Sequence, residues 1–137
     1  MPVIVTDSGF SADSFRGSFT ALADIGTTGQ PVALDLPPDT DARDLTDHLP
    51  GLEMIRVDFP SFADGRGFSL ARTLRRMGYA GRLRARGHVL ADQYTMARRS
   101  GFDEVEIDDT LAARQPEDQW LARANWREHD YRSRLSG

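Results

Sequence analysis

The stretch MIRVDFPSFADGRGFSLARTLRRMGYAGRLRARG, residues 54–87, decides the fold of this chain. It opens with residues 54–59, which have the length of a strand and include the apolar residues Met54, Ile55, Val57 and Phe59. It ends with residues 82–86, in which apolar and Arg residues alternate. Between them, residues 68–77 place apolar side chains on one face at helical spacing. A strand, a helix and a second strand in this order predict a pair of parallel strands.

The alternation in residues 82–86 also predicts the surroundings of three Arg side chains. Successive strand residues point to opposite faces of a sheet, so the two apolar residues are expected to be buried on one face. Arg82, Arg84 and Arg86 then share the other face. There they must meet water, acidic side chains or a ligand.

Strand and helix patterns continue on both sides of this stretch. Residues 32–36 form a near-continuous apolar run, typical of a strand covered on both faces. Residues 89–100 predict a further helix and residues 102–107 a further strand. We therefore predict an α/β fold with a mainly parallel sheet of four to five strands and flanking helices, either flavodoxin-like or similar to half of a (β/α)8 barrel.

The length of 137 residues suits one domain, so we predict a single α/β domain over residues 1–137. Residues 1–30, rich in Ser and Gly, are expected to form an irregular lead-in, apart from a short strand at residues 3–5 that the apolar side chains allow. Residues 31–107 are expected to form the core of the fold.

A polar helix is predicted over residues 118–135, and it carries three large aromatic side chains. Trp120, Trp126 and Tyr131 lie among charged neighbours. We expect them either to cover the core of their own domain or to contact a second chain, as aromatic and Arg side chains often do at interfaces. A homodimer is therefore one of the two expectations for this helix.

Composition excludes several kinds of chemistry. The chain has no Cys and all 17 basic residues are Arg, so thiolate-held iron–sulfur clusters, thiol redox chemistry and Lys Schiff bases are excluded. We expect no metal site, because the three His residues form no cluster. No dinucleotide-binding glycine pattern follows a strand, so the residues do not support a nicotinamide cofactor, and they neither support nor exclude a flavin.

The sequence shows no membrane or export signal. No apolar run approaches the ~20 residues that a membrane-spanning helix needs. The first ten residues lack both the basic region and the long apolar run of a signal peptide. We therefore expect a cytoplasmic protein without membrane contact.

Charge is distributed in blocks. Acids dominate residues 35–64, residues 66–99 contain nine Arg and one acid, and acids return over residues 103–118. Neighbouring blocks can neutralise one another, or the Arg-rich block can receive a small anion or an acidic protein. Nucleic acid is not an expected partner, because the net charge is −4 and no aromatic residues are interleaved with the Arg run.

The sequence FPSFADGRGFSLAR at residues 59–72 resembles the signature of a bacterial family called domain of unknown function 934. The later blocks RLRA and RRSGFD, at residues 82–85 and 98–103, agree with that family in order and spacing. The chain departs from the family pattern at His88 and Ser100, where the family has Asp and Cys. These departures argue against a role that needs an acid or a thiol at either position.

The resemblance implies a modest amount about function. Members of the family have no established reaction, are sometimes labelled oxidoreductases, and tend to be encoded beside sulfite reductase and other proteins of sulfate assimilation. The resemblance therefore implies an accessory protein of sulfate or sulfite assimilation that acts with sulfite reductase or another acidic protein. This is an association and gives no mechanism.

A glycine-containing loop between the strand and the helix of the opening stretch is a candidate anion site. Glycines permit positive φ and a close backbone approach, and the helix start presents N–H groups that have no partner within the helix. An Arg in the loop can grip sulfate, phosphate or carboxylate with two hydrogen bonds. The candidate ligand-binding residues of the loop are Asp64, Gly65, Arg66, Gly67 and Ser69.

Further polar residues follow the ends of three predicted strands. In a parallel sheet these ends meet at one edge, where ligands bind. Asp58 and His88 are the candidate catalytic residues, because an imidazole with a carboxylate in reach can transfer protons, and Arg86 is a further candidate ligand-binding residue. Asp108 and Asp109 are expected at the same edge.

Three functions remain open from the sequence. The first is the accessory role in sulfate or sulfite assimilation that the resemblance implies. The second is a small enzyme or sensor that binds a phosphate- or sulfate-bearing ligand, or a nucleotide, at the Gly65–Ser69 loop. The third is a structural or interaction subunit without a ligand.

Overall fold

The protein is a seven-stranded sheet with helices on one face, in a computed structural model that describes residues 2–25 and 31–127. The strand order is β2-β1-β7-β6-β5-β4-β3. Neighbours from β3 to β7 are parallel, whereas β1 runs antiparallel to both β7 and β2. The strands are β1 (Val3–Thr6), β2 (Gly9–Ser11), β3 (Phe19–Ala21), β4 (Ala33–Leu36), β5 (Met54–Phe59), β6 (Arg82–Gly87) and β7 (Glu104–Ile107).

Helices and short 3-10 turns connect the parallel strands. The α-helices are α1 (Arg66–Arg76), α2 (Tyr94–Ser100), α3 (Asp109–Arg114) and α4 (Glu117–Leu121). The 3-10 turns lie at Leu22–Asp24, Ala42–Leu45, Leu49–Gly51 and Ala91–Gln93. Within the described residues, no helix has both the length and the apolar character needed to cross a membrane.

The predicted α/β class with a mainly parallel sheet is confirmed, but the expected number of four to five strands is wrong. Strand β1 agrees with the short strand allowed at residues 3–5, whereas the additional strands β2 and β3 come from the stretch where an irregular lead-in was expected. Each of these two has only three residues, too few for a clear alternating pattern. The flavodoxin-like alternative is not confirmed, because the parallel strands follow chain order without a reversal. The likeness to half of a (β/α)8 barrel stays a prediction.

The apolar core lies between the sheet and the helices. Alternate residues of the central strands, such as Val57 in β5 and Leu83 in β6, are fully buried on this face. They pack in one cluster with the apolar side of α1, represented by Leu74, and with Tyr94 and Ala97 of α2. The amphipathic spacing that predicted a helix within residues 68–77 therefore serves to cover the sheet.

The C-terminal aromatic residues contribute to this core in part. Trp120 is buried in the main cluster and its Nε1 donates to the Gln115 carbonyl oxygen at 2.8 Å. Helix α4 ends at Leu121, well before the end of the helix expected over residues 118–135. Tyr131 lies outside the described residues. For Trp120, packing against its own domain is the observed arrangement.

The opposite face of the sheet carries a charged ladder that runs across four strands. Asp35, Arg56, Arg84 and Glu104 are successive register neighbours on β4, β5, β6 and β7. Arg56 pairs with Asp35 and Arg84 with Glu104. Glu106 lies between the two central guanidinium groups and accepts from both, at 3.1 Å from Arg56 Nη1 and 2.8 Å from Arg84 Nη1. We call this surface the polar face.

The alternating Arg residues of β6 therefore contact acidic side chains. Arg84 is 0% exposed and binds three carboxylates: Glu104 at 2.6 Å, Glu106 at 2.8 Å and Asp13 at 2.8 Å. Arg82 binds Glu104 at 2.7 Å. A buried guanidinium is tolerated only when its donors are matched in this way.

The segment 12–18, which we call the strap, passes over the polar face. It joins β2 at one edge of the sheet to β3 at the other edge. Asp13 in the strap accepts two hydrogen bonds from Arg84. Phe19, the first residue of β3, has its ring centroid 3.9 Å from the Arg56 guanidinium carbon. The strap thus supplies a carboxylate to the ladder, and the start of β3 supplies an aromatic cover.

Replacement of Asp13 by Asn is expected to lower the free energy of unfolding by about 1 to 3 kcal/mol at pH 7, because it leaves Arg84 with one charged partner fewer. Hydrogen bonds from Arg84 lower the pKa of Asp13 from 3.8 to about 2. The stabilisation is therefore present above the unfolded-state pKa and disappears as the pH falls towards about 2. Urea denaturation measures this effect: the difference in free energy of unfolding between the variant and the wild type should shrink as the pH is lowered from 7 to about 2.5.

The matched control is Asp41→Asn. An exposed Arg43 also lowers the pKa of Asp41 to about 2, and Asn can retain the cap that Asp41 provides to the Arg43 N–H. We expect nearly unchanged stability at every pH, since exposed ion pairs contribute little. An equal loss of unfolding free energy in the two variants would contradict a special role of the Asp13–Arg84 pair.

Candidate functional site

A cleft of about 830 Å³ opens at the carboxyl ends of β5, β6 and β7. The strand ends contribute Asp58, Arg86, His88 and Glu106, and α3 contributes Arg114. We call it the carboxyl-edge cleft. Its position is where open parallel sheets usually bind ligands, and its volume lies within the range of small-molecule sites.

The structure brings together the polar residues that were expected at this edge. Asp58, Arg86 and His88 all line the carboxyl-edge cleft, as do Asp108 and Asp109. Both candidate catalytic residues are therefore in one cavity, together with one of the candidate ligand-binding residues. Whether they act on a ligand stays a prediction.

A tight turn at the end of β6 places His88 in the cleft. Gly87 has φ of +113°, and a Cβ there would lie 2.8 Å from the Phe59 carbonyl oxygen. That same oxygen accepts from the His88 N–H at 2.9 Å and lies 3.2 Å from His88 Nδ1. The His88 ring also meets the Phe62 ring edge-on, with centroids 4.9 Å apart. The imidazole is thus held by β5 and by the loop that follows it.

Arg86 is one of the two Arg residues that line the cleft. Its Nε lies 3.3 Å from Glu106, its Nη1 lies 3.6 Å from Asp58, and the side chain is 46% exposed. These distances are long for ion pairs between guanidinium and carboxylate groups. Arg86 therefore keeps hydrogen-bonding capacity for a ligand while its charge is balanced by two acids.

Helix α3 forms the far wall of the cleft. Asp108 caps this helix, because its Oδ1 accepts from the Leu111 N–H at 2.8 Å. This cap is the structural reason for an Asp at that position. Arg114 lies in the last turn of α3 and also lines the cleft. It has no acidic partner within ion-pair distance among the described residues.

The Gly65 loop differs from its expected anion-binding form. Arg66 is 58% exposed and binds Asp64 through two hydrogen bonds, of 2.6 Å and 3.0 Å. Hydrogen bonds from Arg66 lower the pKa of Asp64. The loop residues Asp64, Gly65, Arg66, Gly67 and Ser69 line neither the carboxyl-edge cleft nor a second cavity of about 750 Å³ beside Tyr79.

Neither glycine of this loop has left-handed backbone geometry. Gly65 has φ of −94°, and Gly67 also lacks a positive φ. Gly67 is required for packing, because a Cβ there would lie 2.5 Å from the Phe59 ring. The positive φ that glycine permits is therefore not used at Gly65 or Gly67, and Gly87 is the glycine with that conformation in the neighbourhood of the site.

Sequence reasoning missed Arg114, Glu106 and Phe62 as cleft residues. Helix α3 was not predicted, although Asp108 stands three residues before a buried Leu111, which is the pattern of a capped helix start. Glu106 was counted only as part of an acidic block. Among residues 2–25 and 31–127, no group of three or more His, Asp or Glu side chains is arranged to hold a metal ion.

Replacement of Gly87 by Ala is expected to destabilise the protein by about 2 kcal/mol or more, because Ala must adopt a left-handed conformation against a backbone oxygen. The matched control is Gly65→Ala, where φ is −94° and the nearest atom to a new Cβ lies 4.0 Å away. That variant should stay within about 1 kcal/mol of the wild type, because the space is open although Ala is a poorer N-cap than Gly. Thermal and urea denaturation measure the stability of both variants. An unchanged stability of Gly87→Ala would contradict the requirement for a left-handed residue at this turn.

Comparison with known proteins places this architecture in a family. Searches of the curated proteins and of the solved structures found no match. The family model described as "Bacterial protein of unknown function (DUF934)" matches residues 33–135, which span β4 to β7 and the cleft residues from Asp58 to Arg114. The chain belongs to this family of bacterial proteins.

Proposed function

We propose that this protein binds a small polar molecule with an anionic group in the carboxyl-edge cleft, as an accessory protein of sulfate or sulfite assimilation. The observation that carries the proposal is the convergence of Arg86, His88 and Arg114 with Asp58 at the ends of parallel strands. Such a mixture of donors and acceptors in one concave site is typical of sites that bind and orient polar ligands.

The charges of the cleft favour an organic ligand over a simple inorganic anion. Arg114 and Arg86 can bind a phosphate, sulfate or carboxylate group. Asp58 and Glu106 would repel an anion that offered no donors, but they accept from hydroxyl or amino groups. A nucleotide or another phosphorylated or carboxylated metabolite combines both kinds of group, and its size suits about 830 Å³.

Family membership supports the metabolic part of the proposal. The resemblance described above implies an association with sulfite reductase and sulfate assimilation. A ligand-binding protein in that setting would act as a sensor, a carrier or an enzyme, and the residues define no reaction by themselves. The thermal response of the protein to small molecules is therefore the first measurement to make.

A ligand that occupies the cleft should raise the melting temperature by at least about 5 °C when it exceeds its Kd ~100-fold. AMP and FMN are expected to give larger shifts than sulfite, sulfate or phosphate, because they offer hydroxyl and amino groups as well as an anionic group. Arg114→Ala and Arg86→Ala should reduce the shift. Arg16→Ala is the control, since Arg16 is exposed and lines neither cavity.

Arg66→Ala distinguishes the cleft from the Gly65 loop. We expect this variant to keep the full thermal shift, because Arg66 lies outside the cleft and is paired with Asp64. If Arg66→Ala abolished the shift while Arg114→Ala kept it, the ligand site would be the loop. The absence of any shift with all five compounds would count against a ligand of this class.

A second candidate function is docking onto an acidic protein, with sulfite reductase as the proposed partner. Most of the Arg-rich block is neutralised within the chain: Arg75 pairs with Asp103 and Arg98 with Asp7, for example. On α1 and α2, however, three exposed Arg side chains have no acidic partner among the described residues. They are Arg72, Arg76 and Arg99.

An exposed methionine accompanies these charges. Met96 is 46% exposed, and its Sδ lies 3.2 Å from Arg72 Nη2. Neither α1 nor α2 contains an acid. A basic surface that includes an adaptable apolar side chain suits an acidic protein surface.

Binding to purified sulfite reductase, measured by calorimetry, should be lost in the double variant Arg72→Glu/Arg76→Glu and weakened by salt. The control Arg16→Glu/Arg114→Glu changes net charge equally but lies outside this helical surface. Equal loss in both variants would indicate a general charge effect and contradict docking through α1 and α2.

A further inference from the structure

The tautomer of one imidazole in the cleft follows from its hydrogen bond. His88 Nδ1 lies 3.2 Å from the Phe59 carbonyl oxygen. A carbonyl oxygen only accepts hydrogen bonds, so Nδ1 must carry the hydrogen for this contact to be favourable. A neutral imidazole has one N–H and one nitrogen lone pair, so the lone pair lies on Nε2.

The surroundings hold this arrangement in place. Phe59 is 2% exposed and packs in the core between the Phe68 and Phe102 rings, which fixes its carbonyl group. The same oxygen binds the His88 backbone N–H, and the Phe62 ring contacts the imidazole edge-on. The ring position therefore depends on buried groups, although His88 itself lines an open cleft.

We propose that His88 is the proton acceptor of the carboxyl-edge cleft, with Nε2 as the accepting atom for a hydroxyl or amino group of the bound molecule. This inference rests on the proposed function, because it assumes that the ligand occupies the cleft. In the transfer step, the O–H or N–H bond of the ligand breaks, its electron pair stays on the ligand atom, and the proton forms the new Nε2–H bond. Neither an oxidant nor a reductant is needed.

The charges around the cleft suit such a step. The imidazolium that forms shares the cavity with carboxylates from three elements: Asp58 of β5, Glu106 of β7, and Asp108 and Asp109 at the start of α3. Arg86 and Arg114 are the positive groups in the same cavity, and they can hold the anionic part of the ligand. Separate groups thus serve for binding and for proton acceptance.

Nitrogen NMR of the uniformly labelled full-length protein tests the tautomer directly. Long-range correlation between ring protons and nitrogens identifies which nitrogen of a neutral imidazole carries hydrogen. We expect His88 to carry it on Nδ1. His48 is the internal control, because its ring has no hydrogen bond among the described residues and should show the Nε2–H form that free imidazole side chains prefer. The variants His48→Gln, His88→Gln and His129→Gln assign the signals.

Chemical modification tests whether Nε2 is open to the cleft. Diethyl pyrocarbonate reacts with an unprotonated ring nitrogen, so mass spectrometry of the treated protein should find His88 modified alongside His48. An Nε2–H tautomer at His88, or an unmodified His88 under conditions that modify His48, would overturn the proposal.

The two proposals fail in different experiments. If none of the compounds raises the melting temperature, ligand binding in the cleft is contradicted. The NMR and modification experiments test the role of His88 in the absence of a ligand. If AMP raises the melting temperature, its addition to the wild-type protein should also slow the modification of His88 and leave that of His48 unchanged. AMP binding with undiminished His88 modification would place the ligand away from Nε2 and overturn the proposal.

Discussion

The buried guanidinium of Arg84 is the constraint on which the arrangement of the sheet depends. A buried charge needs oppositely charged hydrogen-bond partners in place of water. Arg84 has three of them, Glu104, Glu106 and Asp13. Arg56 lies beside it in register, so two like charges would repel without the carboxylate of Glu106 between them. A slip of one residue in β6 would turn Arg84 towards the apolar core. The ladder therefore specifies register across β4 to β7.

The same register aligns the strand ends that form the cleft. Glu106 belongs to both regions, because it accepts from Arg56 and Arg84 on the polar face and also faces Arg86 at the cleft. Its negative charge is largely satisfied by the two inner guanidinium groups. This leaves Arg86, whose contacts are longer, as the member of the network best able to exchange a protein partner for a ligand. Packing and site chemistry are thus connected through one side chain.

Much of the fold was predictable from the sequence where the pattern is long and periodic. The strand, helix and strand of residues 54–87 are present, and the alternation in β6 indicated a face that needed acids. The convergence of Asp58, Arg86 and His88 followed from the geometry of parallel strands alone. Strands β2 and β3 were harder to predict, because three residues give no periodic signal. The Gly65 loop was misinterpreted because a sequence shows only which conformations a glycine permits. Gly67 is needed for a different reason, since a Cβ at this position would collide with the Phe59 ring.

The position of the strap affects how this domain can be dissected. The region that defines the family begins at residue 33, but β1, β2, the strap and β3 all lie before it. A fragment that started there would leave the outer edge of β7 unpaired and would expose β4 as a new edge. It would also open the ion-pair ladder to water and remove one of its carboxylates, Asp13. We therefore expect the autonomous folding unit to include residues that precede the family region.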